Sequence, residues 1–317
     1  MNNIILCVNV VLPIFIVIAI GYILKQKKFI DDIFVSYSTK IVFKLAIPIT
    51  LFKRIANYNF YEAVDQKFIY FLTYCFVGLF LTFILSIIIA KIVFKERDVI
   101  GAVIQGTFRS NFIIIGYPII QNWFGDEGMA TAALLTIVAV PLFNVLTIFI
   151  LTIYDPDASK FSIKSVLINI IKNPLILGIL VGLVFSLLNI KIPSFIQSSI
   201  NIVSGLSTPL SLLGIGAFFT FTNFKKYLSP IFIATFFKIV MFPVIFTFIA
   251  HLLGFSGILL GTIFILFASP TSVSSFIMAK AMNSNSTVAA NIIVFSTSIS
   301  IFTLFTGIWI LTSLQWV

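Results

Sequence analysis

Gly106-Thr107-Phe108-Arg109-Ser110-Asn111-Phe112-Ile113-Ile114-Ile115-Gly116-Tyr117-Pro118 interrupts an apolar run long enough to cross a membrane. Its glycines and proline break the hydrogen-bond ladder of a helix, and its Ser and Asn side chains can satisfy the backbone groups so released. A second stretch, Ala268-Ser269-Pro270-Thr271-Ser272-Val273-Ser274-Ser275, has the same character inside another apolar run. Two interrupted helices at corresponding places are the sequence mark of a transport site. The plainer reading is that Pro and Gly only kink helices for packing. The polar residues gathered at both breaks favour the site.

The composition agrees with a membrane setting. Of 317 residues, 60% are hydrophobic, 9% are charged and 37 are Phe, with a mean hydropathy of +1.17. A soluble domain carries about a quarter charged residues. A soluble enzyme, a disordered tail and a nucleic-acid binder are excluded, because the basic residues behind the net charge of +10 are scattered between apolar runs. Cys7 and Cys75 both lie within apolar runs and suggest neither a zinc site nor a disulfide framework. Met1-Asn2-Asn3 lacks a positive n-region, so the first apolar stretch reads as a retained helix.

Spans of about 20 apolar residues fit a hydrocarbon layer ~30 Å thick. Ten are expected, at 4–24, 33–53, 67–94, 99–123, 129–153, 165–189, 194–220, 229–252, 256–281 and 287–315. The seventh carries Gln197, Ser198, Ser199, Asn201, Ser204, Ser207, Thr208 and Ser211, and is expected to face protein or water more than lipid. The odd-numbered loops hold Lys25, Lys27, Lys28, Lys91, Lys95, Arg97, Lys160, Lys164, Lys225 and Lys226. The even ones hold Lys53, Arg54, Lys67 and Lys191. That asymmetry places the odd loops inside and both termini outside, with Trp123 and Trp316 near the outer interface.

A spacing of 161 residues relates Pro13 to Pro174, Gly21 to Gly182 and Pro48 to Pro209. Ser110-Asn111 falls near Ser269-Pro270-Thr271, with the offset drifting by a residue. The chain then divides into two five-helix halves, 1–158 and 159–317, forming one transmembrane domain. An odd number of spans per half inverts the second relative to the first, an architecture shared by many secondary transporters.

Arg109 lies about ten residues into its span, hence ~15 Å deep. Burying it there costs at least ~3 kcal/mol unless something compensates. All ten acids, from Asp31 to Asp157, fall in loops or at span ends. An anionic ligand, helix-end carbonyls or snorkelling are therefore the expected compensations, the last being hard for Arg from that depth. Lys40 and Lys238 are expected to snorkel to the inner interface. For Lys44, snorkelling and a place in the site are equally open. Gly178 and Gly182 form a small-residue packing face, and Gly214 and Gly216 are expected to let backbones approach. The lone His251 sits near the outer end of its span and reads as an interfacial residue. No GxSxG, HExxH or phosphate loop is present.

Several short motifs, in this order and spacing, resemble the auxin efflux carrier family. They are Leu12-Pro13 with Gly21-Tyr22, Ala46-Ile47-Pro48, Arg109-Ser110-Asn111 through Ile115-Gly116-Tyr117-Pro118 to Phe124-Gly125, Lys172-Asn173-Pro174, Ser207-Thr208-Pro209 through Gly214-Ile215-Gly216, and Ser269-Pro270-Thr271 with Ala279-Lys280. The likeness runs from Val11 to the last span. It implies an all-α fold of two inverted five-helix repeats, of the sodium/proton-antiporter or bile-acid-symporter kind. It also implies a scaffold and a transport domain, with unwound helices 4 and 9 crossing near Pro118 and Pro270. Asn111 matches the crossover position that in the family helps hold a substrate carboxylate. Ser275 stands where plant members carry a second proline, and their long cytoplasmic loop is absent, which argues against auxin and for the bacterial carriers of malate- and malonate-type acids.

The expectation is thus a secondary carrier of small mono- or dicarboxylates in the plasma membrane, working by alternating access. Its expected site residues are Lys44, Arg109, Ser110, Asn111, Gly116, Pro118, Ser269, Pro270, Thr271 and Ser272. No catalytic residue, metal or cofactor is expected. The expected partners are the organic anion and membrane lipid, with room for a homodimer and none for nucleic acid. The rivals are a cation/proton antiporter of similar fold, disfavoured by the absent intramembrane acids, and an intramembrane enzyme, disfavoured by the lone interfacial histidine.

Overall fold

The computed structural model describes residues 2–56, 66–155, 174–219 and 224–317. Lys160, Lys164, Lys172, Asn173 and the 158/159 division between the two halves lie outside them. Among the described residues the chain is helical, with no strand beyond one isolated bridge. In chain order the helices are α1 (Asn2–Gln26), α2 (Asp32–Ile41), α3 (Ile47–Ala56), α4 (Gln66–Val93), α5 (Arg97–Phe108), α6 (Tyr117–Ile153), α7 (Pro174–Leu187), α8 (Ser194–Gly205), α9 (Ser207–Ala217), α10 (Leu228–Phe236), α11 (Phe242–Leu252), α12 (Gly257–Ala268), α13 (Ser274–Ala281) and α14 (Ser286–Ser313). Wider π-helical turns at Val42–Ala46, Phe112–Gly116 and Phe237–Met241 precede α3, α6 and α11.

Six described helices are long and apolar enough to cross a membrane: Asn3–Gln26, Gln66–Val93, Phe112–Ile153, Ser194–Ala217, Phe224–Leu252 and Ser286–Ser313. Leu177–Leu187 and Gly257–Ala268 are shorter apolar helices. The expected span over 99–123 is divided, because α5 stops at Phe108 and helix resumes at Phe112. From there the chain stays helical to Ile153, bent once at Gly125. Its backbone there has φ 64° and ψ −146°, a region only glycine enters without strain.

Packing follows the logic of lipid, not water. In α4 the buried face carries Phe71, Cys75, Gly78, Leu79, Thr82, Phe83, Ser86 and Ala90, at helical spacing. The opposite face presents Ile69, Tyr70, Phe76, Val77, Phe80 and Ile84 outward. The small and hydroxyl residues of α4 thus sit inside, while large apolar ones occur on both faces, as expected where lipid is as apolar as leucine.

Glycines set the closest helix approaches. A Cβ on Gly216 would lie 1.9 Å from the Ile18 carbonyl oxygen, and one on Gly21 would lie 2.3 Å from that of Leu213, so α1 and α9 touch backbone to backbone. Gly178 and Gly182 do the same for α7 against α3, at 2.4 Å from the Pro48 carbonyl and 3.0 Å from that of Phe52. Gly21 and Gly182, like Phe52 and Leu213, are 161 positions apart. Gly214, by contrast, faces open space, so only Gly216 of that pair allows a close approach.

The seventh span divides its polar residues by depth. Ser204, Ser207 and Ser211 are buried, while Ser198 and Ser199 are exposed and donate to the Ser194 and Phe195 carbonyls of their own helix. His251 stacks on Trp316 with ring centroids 3.7 Å apart. Lys40 is exposed, its ammonium 5.1 Å from the Tyr37 ring centroid. Lys238 departs from the snorkelling expectation: it is 2% exposed, and its ammonium donates to the Phe267 carbonyl at 3.1 Å.

Candidate functional site

The two interrupted stretches meet at their extended residues. Arg109 leaves α5 with φ −78° and ψ 123°, and Ser269 leaves α12 with φ −59° and ψ 135°. Ser110 and Thr271 form the isolated antiparallel bridge, and the Asn111 N–H donates to the Pro270 carbonyl at 2.7 Å. Further bonds tie the crossing. The Thr271 hydroxyl donates to the Gly106 carbonyl at 2.6 Å, the Thr271 N–H to the Ser296 hydroxyl at 3.2 Å, and the Gln105 amide to the Ser275 carbonyl at 3.0 Å. Backbone freed by each break is thus satisfied by the other break and by polar side chains, the condition for unwound chain at membrane depth.

Beside the crossing lies a cavity of about 390 Å³, lined by Lys44, Arg109, Ser110, Asn111, Ser272 and Ser274 among others. Its polar groups are unevenly engaged. Arg109 is 7% exposed and donates to the Asn144 amide oxygen at 2.8 Å, to the Thr147 hydroxyl at 3.3 Å and to the Met278 sulfur. All three acceptors are neutral. The Asn111 carbonyl accepts the Ile115 and Gly116 N–H groups that start the next helix. Its side-chain amide nitrogen is buried without a hydrogen-bond partner among the described residues. Ser272 and Ser274 share a hydroxyl–hydroxyl bond of 2.8 Å at the amino end of α13. Among the described residues no Asp or Glu lines this cavity.

The structure therefore brings Lys44, Arg109, Ser110, Asn111 and Ser272 to one place. Ser269, Pro270 and Thr271 are buried in the crossing and do not line the cavity. Gly116 is a packing position: a Cβ there would come 3.0 Å from both Ile265 and the Ser269 hydroxyl. Pro118 lines a second cavity of about 300 Å³, together with Thr50, Lys53, Asn122, Ser207 and Thr208. Ile113 and Ile114 line both cavities.

The sequence reading missed Asn144, Thr147 and Ser274. Asn144 carries a usable signal: it is the one amide between Met129 and Ile153, a run that is otherwise almost wholly apolar. Such a residue needs a partner inside the bundle.

A protein-family comparison matches residues 6–309 to the family described as "Membrane transport protein". Among curated proteins, an uncharacterized transporter of Methanocaldococcus jannaschii is 26% identical over 311 residues, which cover 96% of this chain and 98% of that protein.

Proposed function

The chain belongs to the membrane transport protein family, that of the auxin efflux carriers, and on that premise we propose that it is a secondary carrier of small organic anions, mono- or dicarboxylates, in the plasma membrane. One observation carries the substrate class. Lys44, the neutrally partnered Arg109 and the unpartnered Asn111 amide line a single cavity to which the described residues bring no acid. Two cations and a free donor suit one or two carboxylates, and charge-assisted hydrogen bonds to them are the strong kind. The amino end of α13, with Ser272 and Ser274, adds the positive end of a helix dipole. A cavity of this size falls within the ~300–1,000 Å³ of small-molecule sites. A cation/proton antiporter would hold its ion on a buried carboxylate, and among the described residues neither cavity supplies one.

In this reading the ten spans form two inverted halves, 1–158 and 159–317. The Ser110–Thr271 bridge joins residues 161 apart, and the glycine contacts of α1 with α9 and of α7 with α3 share that spacing. Both lend support to the repeat. Alternating access would expose the crossing first to one cavity and then to the other, across Ile113 and Ile114. Counterflow in proteoliposomes tests the substrate class: labelled malonate or malate should accumulate against an internal load of the same acid. Equal retention with empty vesicles for every carboxylate tried would remove it.

Two further results are expected. Pro118→Ala and Pro270→Ala should lower counterflow about tenfold or more at equal expression, since Ala at 270 favours helix over the break, and Ala at 118 restores the N–H that lets the wide turn Phe112–Gly116 tighten. Native rates in both variants would leave the prolines as packing kinks. The proposed topology puts both termini outside, so a cysteine added after Val317 should react with an impermeant maleimide in intact cells. Reaction only after permeabilisation would invert the orientation.

A further inference from the structure

Lys238 has no part in the cavity, yet it is among the most deeply buried cations of the described chain. It sits in the π-helical turn Phe237–Met241, a type of turn frequent at functional sites. Its ammonium reaches across to the Phe267 carbonyl at 3.1 Å. Phe267 is the penultimate residue of α12, the half-helix that runs into the crossing. The last four carbonyls of a helix lack partners within it and carry the negative end of its dipole, roughly half an elementary charge. The other half-helix, α5, ends next to a cation too, at Arg109. The Arg109 guanidinium turns away to α6 and α13, whereas the Lys238 ammonium bonds a carbonyl of its half-helix end directly.

Sodium-coupled carriers place their cation at such ends of unwound helices. Among the described residues no group of three His, Cys, Asp or Glu side chains could hold a metal ion. A sodium ion at the end of α12 would compete with an ammonium already bound there, against like-charge repulsion. We propose that Lys238 is a built-in counter-cation for the carbonyl end of α12, standing where a coupled sodium ion would otherwise sit, so that the carrier cycles without sodium. Only the transport arm of the test rests on the carrier reading above.

The decisive measurement is thermal unfolding of the purified full-length protein in sodium chloride, choline chloride and n-propylammonium chloride at equal ionic strength. The native chain should melt within about 1 °C in all three salts. Lys238→Ala removes the ammonium and leaves space for a small cation, n-propylammonium matching the missing part of the side chain. The variant should melt lower by about 5 °C or more in choline, and regain at least about half of the loss in sodium or n-propylammonium. A variant that melts equally low in all three salts makes Lys238 a plain tether between helices and overturns the proposal. Native melting of the variant in choline, or sodium-specific stabilisation of the native chain, overturns it as well. In parallel, malonate counterflow by the native chain should run at the same rate in sodium and in choline, and a tenfold loss in choline would also refute it. Failure of the native chain to move any carboxylate would count against the carrier reading alone, and the melting comparison would still decide Lys238.

Discussion

Arg109→Gln is expected to bind organic acids about 10- to 100-fold more weakly than the native chain while still inserting and folding. A hydrogen bond to a charged group contributes ~1.5–3 kcal/mol, and each 1.4 kcal/mol is tenfold in affinity. The guanidinium has five N–H donors, and three contacts to Asn144, Thr147 and Met278 are seen among the described residues. Those contacts fix its plane, and the remaining donors can face the cavity. Arg109→Lys should recover part of the affinity, because the charge returns but the planar fork does not. The competing account is that Arg109 only pins α6 and α13 together. Affinity titration and a melting scan on the same variant separate the two. Unchanged affinity with a collapsed melting temperature would leave Asn111 and Lys44 to carry recognition.

Gly216→Ala is expected to be the most damaging of the small substitutions. The added methyl would sit 1.9 Å from the Ile18 carbonyl oxygen and 2.7 Å from the Tyr22 nitrogen. Both neighbours are backbone, so α1 and α9 would have to separate along their contact. Overpacking of this kind costs typically ~1–3 kcal/mol, and more where backbone must move. Most of the protein should fail to elute as a single species from a size-exclusion column in detergent. Gly214→Ala, two residues away and facing open space, should elute and melt as the native chain does. Equal behaviour of the two variants would mean that α1 and α9 are not in backbone contact.

Much of this was legible in the sequence because the signals are local. The two breaks announce themselves by Gly, Pro, Ser and Asn inside apolar runs, and the lack of a nearby acid in the sequence matches the neutral partners that buried Arg109 takes. The Gly178–Gly182 packing face is a matter of spacing along one helix, and both glycines do meet α3. What stayed hidden depends on the third dimension. The partners of Arg109 lie 35, 38 and 169 residues away, and no periodicity along the chain pairs them. Lys238 reads as a snorkelling side chain because it falls within the first half of its expected span, 229–252. The π-helical turn that carries it and the carbonyl it meets lie on separate helices, and only their packing turns the side chain inward. Gly214 and Gly216 share composition and neighbourhood. Two residues of helix are a rotation of roughly 200° at 3.6 residues per turn, which sends one glycine to α1 and the other to open space.

The placement of Ile113 and Ile114 has an electrical consequence. These neighbouring residues line both cavities, and in the carrier proposed above they would form an apolar step on the order of one helical turn, ~5 Å, between them. Cavities filled with water from opposite faces would carry the bulk potential inward, and most of the bilayer voltage would then fall across that short apolar step. A charge passing it exchanges ~2.3 kcal/mol per 100 mV, twice that for a doubly charged acid. In a cell whose interior is negative, an anion crossing with no accompanying ion is driven outward. Export would run on voltage alone, whereas uptake across the same step would need a gradient of the acid steep enough to oppose it.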